Sequence, residues 1–111
     1  MVLQQGGPAA ERVAGRFVSL PRILVVDDDY STRALLTQVF SGTCEVLTAA
    51  NGTDALQVLS GQSIDLVLLD IMMPGMSGLE ALDAIRRDET LVELPVILIS
   101  ARSTQKDVVD G

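Results

Sequence analysis

The chain has 111 residues, enough for one domain with a buried core, and 48 % of them are apolar. It is acidic, with 15 Asp and Glu against 8 Lys and Arg, so it lacks the basic surface by which proteins bind nucleic acid. Its single cysteine, Cys44, and the absence of histidine exclude an internal disulfide, Cys–His catalysis and a histidine-based zinc site. No apolar stretch is long enough to span a membrane and no signal-peptide pattern is present, so we expect a cytoplasmic protein.

The first 20 residues differ in pattern from the domain that we expect over residues 21–111. Residues 4–8 (QQGGP) are typical of a flexible tail, whereas apolar residues recur at helical spacing over residues 9–18. Gly15 would weaken such a helix by about 1 kcal/mol relative to alanine. The sequence therefore leaves two alternatives open for residues 1–20, a disordered tail or a short helix that docks on the domain.

Four short apolar runs in the rest of the chain predict β-strands. Residues 23–26, 64–69 and 96–99 are nearly continuous apolar runs, interrupted only by Asp65. Such runs are typical of strands that are buried on both faces of a parallel sheet. Residues 44–49 alternate more between polar and apolar, which suits a strand at the edge of the sheet.

Amphipathic patterns between these runs predict three helices. Ser31 or Thr32 could cap the first helix, and residues 103–111 resemble the start of a fourth. The alternation of strands and helices predicts an α/β fold with a doubly wound parallel sheet and right-handed crossovers. The three apolar stripes consist of Leu35, Leu36, Val39 and Phe40, then Ala55, Leu56 and Leu59, and finally Leu79, Leu82 and Ile85.

Acidic side chains follow the predicted strands at the end where open α/β sheets carry their chemistry. The residues at these strand ends are Asp27, Asp28, Asp29, Asp70 and Ser100. If the second strand lies at the edge, the other three are neighbours and their ends converge. Oxygen ligands suit Mg²⁺, which would offset a repulsion of about 1 to 4 kcal/mol between like charges 4 Å apart. Three consecutive aspartates alone also fit a solvated turn that caps a helix, but Asp70 at the same edge favours a metal site.

Three segments resemble the signature segments of response-regulator receiver domains of bacterial two-component signalling: ILVVDDDYSTR, IDLVLLDIMMPGMSGLE and LPVILISAR. The resemblance covers about residues 22–111 and implies a flavodoxin-like receiver fold. It implies that Asp70 takes a phosphoryl group from a kinase histidine. It also implies Mg²⁺ ligands: Asp28 directly, Asp27 mainly through water, Asp70, and the backbone carbonyl of Met72.

The resemblance assigns further positions and partners. Ser100 would be the switch residue that hydrogen-bonds the phosphoryl group, next to the small Ala101. Asp29 has no role in this scheme and is expected to cap a helix or face solvent, and Ser77 stands where the family often has aspartate. The implied partner is a sensor histidine kinase, with an output domain or a downstream protein as a further one. The domain would promote its own phosphorylation and not act as an enzyme on a separate substrate.

The resemblance ends before the family pattern does, which predicts a receiver fold without its fifth strand and fifth helix. The lysine that follows the fifth strand in the family has no counterpart, because Lys106 lies in a polar stretch without an apolar strand before it. A missing helix would leave part of the sheet bare and make residues 96–99 an open edge. We therefore expect the chain to form a homo-oligomer.

Two other functions remain open. An interaction module with a receiver fold would keep the acidic site without ever cycling phosphate. A phosphatase of the haloacid-dehalogenase type would use Asp27 and Asp29 as nucleophile and acid, and Ser100 as a second-strand hydroxyl. That enzyme also needs a catalytic lysine and later acidic ligands that the chain lacks, and it leaves residues 70–78 unexplained.

Overall fold

The structure, a computed structural model, describes residues 10–13 and 16–99. The predicted fourth helix and the residues Ser100, Ala101 and Lys106 lie outside this part of the chain. In chain order, the elements are β1 (Ala10–Val13), β2 (Arg16–Ser19), β3 (Arg22–Val26), α1 (Tyr30–Phe40), β4 (Glu45–Ala49), α2 (Gly52–Gly61), β5 (Leu66–Asp70), α3 (Gly78–Arg87), a short 3-10 helix (Glu89–Leu91) and β6 (Val96–Ile99).

Strands β3 to β6 form a parallel sheet in the order β4-β3-β5-β6. This order confirms the predicted α/β fold and places the second predicted strand, β4, at one edge. In the register, Ile23 of β3 lies opposite Val46 of β4 on one side and Leu66 of β5 on the other. The two central strands, β3 and β5, are therefore direct neighbours, as convergence of their acidic ends requires.

Helices pack against both faces of the sheet. Along each strand, side chains alternate between the two faces. Leu24 and Leu69 are fully buried in the larger core beneath α2 and α3, where Ile85 of α3 joins them. Ile23 and Val25 are buried on the opposite face, against Leu36 and Phe40 of α1. Burial on both faces explains the continuous apolar runs, since each such side chain contributes about 1.5–3 kcal/mol by leaving water.

The apolar face on the α1 side is less well covered at β6. Ile99 packs into the smaller core, but Ile97, two residues earlier on the same face, is 49 % exposed. Within residues 10–13 and 16–99, β6 pairs with β5 alone. The described chain thus has an apolar strip and a strand edge side by side.

The short helix, one of the two alternatives left open for residues 1–20, is not what the described residues form. Residues 10–13 and 16–19 are the strands β1 and β2, which pair antiparallel with Val13 opposite Arg16. Two residues, Ala14 and Gly15, lie between the strands in the sequence and are outside the described residues. The β-branched and aromatic residues of this stretch favour strands, and the glycine penalises a continuous helix.

Asp29, one of three candidate caps in the sequence, caps the first helix. Asp29, and neither Ser31 nor Thr32, is the N-cap of α1, and its carboxylate accepts hydrogen bonds from the Thr32 backbone N–H (3.2 Å) and hydroxyl (2.7 Å). The backbone N–H groups in the first turn of a helix have no carbonyl partner within the helix. A carboxylate at the N-cap accepts a hydrogen bond from one of them. The expectation that Asp29 caps a helix is confirmed.

The third predicted strand lies slightly later in the chain than expected, over Leu66–Asp70 instead of residues 64–69. Asp65 lies outside it, and its carboxylate accepts a hydrogen bond from the Arg22 backbone N–H at 2.7 Å. The shift makes Asp70 the last residue of β5. None of the described helices is both long and apolar enough to cross a membrane.

Candidate metal site

Three carboxylates meet at the carboxyl end of the sheet. Asp27 and Asp28 directly follow β3, and Asp70 ends β5. Because these strands are parallel neighbours, with Val26 opposite Leu69, their ends lie at the same level. One carboxylate oxygen from each aspartate lies within 4.8 Å of the other two. The convergence predicted from the strand ends is therefore present.

Two of these carboxylates are buried, which sets them apart from ordinary acidic surface residues. Asp27 is 7 % exposed and Asp70 is 4 % exposed, while Asp28 is half-buried. Anions this close together repel one another more strongly in a poorly hydrated site than in water. A divalent cation would offset that repulsion.

Backbone groups hold the two buried carboxylates in place. The Asp29 N–H donates a hydrogen bond to Oδ1 of Asp27 at 2.8 Å, and the Met72 N–H donates to Oδ1 of Asp70 at 3.1 Å. In each case the donor is two residues further along the chain, so each aspartate orders the turn that follows its own strand. These hydrogen bonds orient the two carboxylates towards the shared site.

The donor set fits Mg²⁺. The grouped ligands are oxygens of carboxylates, the hard ligands that Mg²⁺ prefers, while neither a thiolate nor an imidazole joins the cluster among the described residues. The residues that could hold the ion are Asp27, Asp28 and Asp70. Met72 would contribute its backbone carbonyl rather than its sulfur, because a thioether is a soft ligand and Mg²⁺ prefers oxygen.

The backbone after Asp70 is fixed by α3. The Ile71 N–H donates to the Ile99 carbonyl at 3.0 Å, and the Gly78 N–H donates to the Ile71 carbonyl at 3.0 Å. A Cβ atom at Gly78 would lie 2.7 Å from the Ile71 Cα and would collide with the Asp70 carbonyl oxygen. Glycine is thus the residue that lets the start of α3 approach the end of β5 this closely.

Ser77 caps α3 through reciprocal hydrogen bonds. Its hydroxyl accepts a bond from the Glu80 N–H at 3.2 Å, and its own N–H donates to the Glu80 carboxylate at 2.9 Å. This capping box satisfies two backbone donors at the helix start. Serine is therefore a suitable residue at this position, where the family often has aspartate.

Sequence reasoning missed Arg33. Its Nη1 donates a hydrogen bond to the backbone carbonyl of Asp27 at 2.8 Å, and its guanidinium lies 5.7 Å from the centre of the Tyr30 ring. The sequence DDDYSTR carries the one signal that could have indicated this contact: a basic residue in the first turns of the helix that follows an acidic run. Ser100, the remaining predicted site residue, lies outside the described residues.

Residues 23–111 match the family model of the response regulator receiver domain. The chain belongs to this family. The match confirms the resemblance drawn from the three signature segments. It includes residues 70–78, which the haloacid-dehalogenase alternative left unexplained, and the capping role of Asp29 accounts for that residue without catalysis.

Curated relatives of this receiver domain include transcriptional regulators. "Transcriptional regulatory protein AfsQ1" of Streptomyces coelicolor is 41 % identical over 93 residues, which are 83 % of this chain and 40 % of that protein. "DNA-binding response regulator MtrA" of Mycobacterium tuberculosis strain H37Rv is 40 % identical over 91 residues, 81 % of this chain and 39 % of that protein. The chain spans about two fifths of the length of these relatives.

Solved receiver structures show the same flavodoxin-like fold. A response regulator receiver protein from Pseudomonas putida is 29 % identical, with a TM-score of 0.72 over 84 % of this chain and 78 % of that one. The chemotaxis protein CheY4 from Vibrio cholerae is 28 % identical, with a TM-score of 0.69 over 84 % and 82 % of the two chains. The fold class predicted from the sequence is thereby confirmed.

Proposed function

We propose that this receiver domain is a phosphoacceptor in two-component signalling, in which Asp70 takes a phosphoryl group from a histidine of a sensor kinase. Mg²⁺ would be held by Asp27, Asp28 and Asp70 and by the backbone carbonyl of Met72. The observation that carries the proposal is the meeting of three carboxylates within 4.8 Å around the buried end of β5.

The chemistry requires a positioned carboxylate. A carboxylate oxygen of Asp70 forms a bond to phosphorus while the bond from phosphorus to the kinase histidine nitrogen breaks, and the electron pair of that bond stays with the imidazole. The Met72 N–H holds the Asp70 carboxylate, and the rigid end of β5 fixes its place. When bound, Mg²⁺ would supply positive charge to the phosphoryl oxygens. Ser100 would donate a hydrogen bond to the transferred group.

Intact-protein mass spectrometry after incubation with a small acyl phosphate tests this proposal. The wild-type chain is expected to gain one phosphoryl group with Mg²⁺ present and none after chelation. Asp70→Asn should gain none, whereas the control Asp83→Asn, at an exposed aspartate paired with Arg87 in α3, should label like the wild type. A folded wild type that binds Mg²⁺ but never gains the group would favour the phosphorylation-independent interaction module.

The partners follow from the same proposal. A sensor histidine kinase would donate the phosphoryl group, and an output domain or a downstream protein would read the phosphorylated state. The names of the two relatives, one a DNA-binding response regulator and one a transcriptional regulatory protein, support an output on DNA made by another part of such a protein. The acidic segment itself would contact neither nucleic acid nor a membrane, and it would work in the cytoplasm.

A further inference from the structure

The β3–α1 connection, which carries two of the three clustered carboxylates, is bridged by one side chain. Arg33 lies in α1, and its Nη1 reaches back to the carbonyl of Asp27 at a distance of 2.8 Å. That carbonyl belongs to the peptide that joins Asp27 to Asp28. The guanidinium is therefore bonded to the backbone between two residues of the acidic cluster.

The rest of the surroundings keeps Arg33 in this position. The Arg33 N–H donates to the Asp29 carbonyl at 3.1 Å, which fixes its backbone in the first turn of the helix. The Tyr30 ring lies beneath the guanidinium, at 5.7 Å from its central carbon, a distance at which a cation and an aromatic face attract each other. Together with the bond from the Asp29 N–H to Asp27 Oδ1, these contacts leave the connection little freedom.

Two roles are open to such an arginine, and they have opposite consequences for a bound cation. If Arg33 acted only through its charge, it would repel Mg²⁺, and its removal would strengthen binding. If it acts by holding the backbone that aims the carboxylates, its removal weakens binding. Groups that orient metal ligands in this way typically change metal affinity by about 10- to 100-fold when they are mutated.

We propose that Arg33 is a positioning residue for the metal site: its guanidinium, bonded to the Asp27 carbonyl, holds the Asp27–Asp28 peptide in the arrangement that binds Mg²⁺. This inference rests on the proposed function, because it takes Asp27, Asp28 and Asp70 as the metal ligands. It adds a residue outside the ligand set on which the affinity of that set depends.

Titration calorimetry with Mg²⁺ tests the inference on four proteins: wild type, Arg33→Met, Arg33→Lys and Arg86→Met. Arg86 is the control, because its Nη1 also donates to backbone carbonyls of a connecting segment, those of Leu91, Val92 and, at 2.8 Å, Leu94 before β6. Both methionine variants lose one positive charge. Only Arg33→Met loses a contact to the β3–α1 connection, which carries Asp27 and Asp28.

Arg33→Met is expected to raise the Mg²⁺ dissociation constant by about tenfold or more, and Arg86→Met to leave it unchanged. Arg33→Lys should fall between wild type and Arg33→Met, since an ammonium can donate to the carbonyl but lacks the planar guanidinium that lies over Tyr30. Hydrogen exchange in the metal-free proteins gives a second measurement. The Asp29 amide should exchange faster in Arg33→Met than in wild type or in Arg86→Met.

The outcomes separate this inference from the proposed function. If wild type binds Mg²⁺ and Arg33→Met binds it equally well or more tightly, the positioning role is wrong while the metal site stands. If wild type binds no Mg²⁺, both are wrong. Should Arg33→Met fail to fold, Arg33→Gln takes its place with the same expected direction, and unchanged affinity in that variant overturns the inference.

Discussion

Gly78 packs against the carbonyl of Asp70 so closely that the position has no room for a side chain. The contact joins the first residue of α3 to the last residue of β5, which carries the proposed phosphoacceptor. The position of Asp70 thus depends on a residue eight positions further along the chain.

Gly78→Ala is expected to destabilise the fold by about 1–3 kcal/mol, because the added methyl group must displace backbone instead of a flexible side chain. Urea unfolding followed by circular dichroism measures the loss. The control is Gly61→Ala, where a Cβ would meet no atom within 4 Å. Alanine in place of that helical glycine should leave stability unchanged or raise it. Equal stability of the two variants would contradict the close approach.

Asp28→Asn is expected to abolish most Mg²⁺ binding, since it removes one of three charges that lie within 4.8 Å of one another. Titration calorimetry on wild type, Asp28→Asn and the distant Asp83→Asn gives the comparison. Asp83 is exposed and pairs with Arg87 at 3.0 Å, so its loss should not alter the site. Equal affinity in wild type and Asp28→Asn would remove Asp28 from the ligand set.

The hydroxyl of Thr90 lowers the pKa of Asp88, and the Thr90 backbone N–H adds to the effect. Both groups donate to Oδ1 of Asp88, at 2.7 and 2.9 Å, and so favour the ionised form. A carboxyl with a lowered folded pKa stabilises the fold above its unfolded pKa, and this contribution is lost as the pH falls through the folded pKa. Thr90→Val should raise the pKa of Asp88 towards its ordinary value in an NMR titration. An unchanged pKa would show that the hydroxyl is not its cause.

The 111-residue chain is expected to associate through β6. In the described part of the chain this strand is paired on one side only, and its own residue Ile97 is half-exposed. Light scattering over a dilution series should show a dimer or a larger assembly, and Ile97→Lys should weaken it more than Val92→Lys, at an exposed apolar residue in the loop before β6. A folded monomer at every concentration would contradict this expectation, unless deletion of residues 1–20 then caused association.

The sheet and the acidic site could be predicted because the deciding signals are local. A buried parallel strand is apolar on both faces, so β3 and β5 are visible as runs, and Asp70 is visible as the charge that ends one of them. The run of β6 is equally apolar, but the strand is only partly covered and Ile97 is half-exposed. Parallel pairing then brings the strand ends together once β4 lies at the edge, an order that the structure supplies.

The remaining features depend on contacts that spacing does not reveal. The apolar residues of 9–18 fit a helical period, yet the structure pairs residues 10–13 with residues 16–19 as antiparallel strands. Asp29 competes with Ser31 and Thr32 as a cap, and only the observed start of α1 decides among them. Arg33 reaches back six residues, and Gly78 is explained by the backbone of a strand rather than by its own helix.

The most direct test of the central claim is to locate the phosphoryl group. After incubation of the wild-type chain with an acyl phosphate and Mg²⁺, borohydride reduction converts an aspartyl phosphate to homoserine, which peptide mass spectrometry assigns to a position. Homoserine is expected at residue 70, dependent on Mg²⁺ and absent from Asp70→Asn. Homoserine at Asp27 or Asp28, or none at all in a folded chain that binds Mg²⁺, would contradict it.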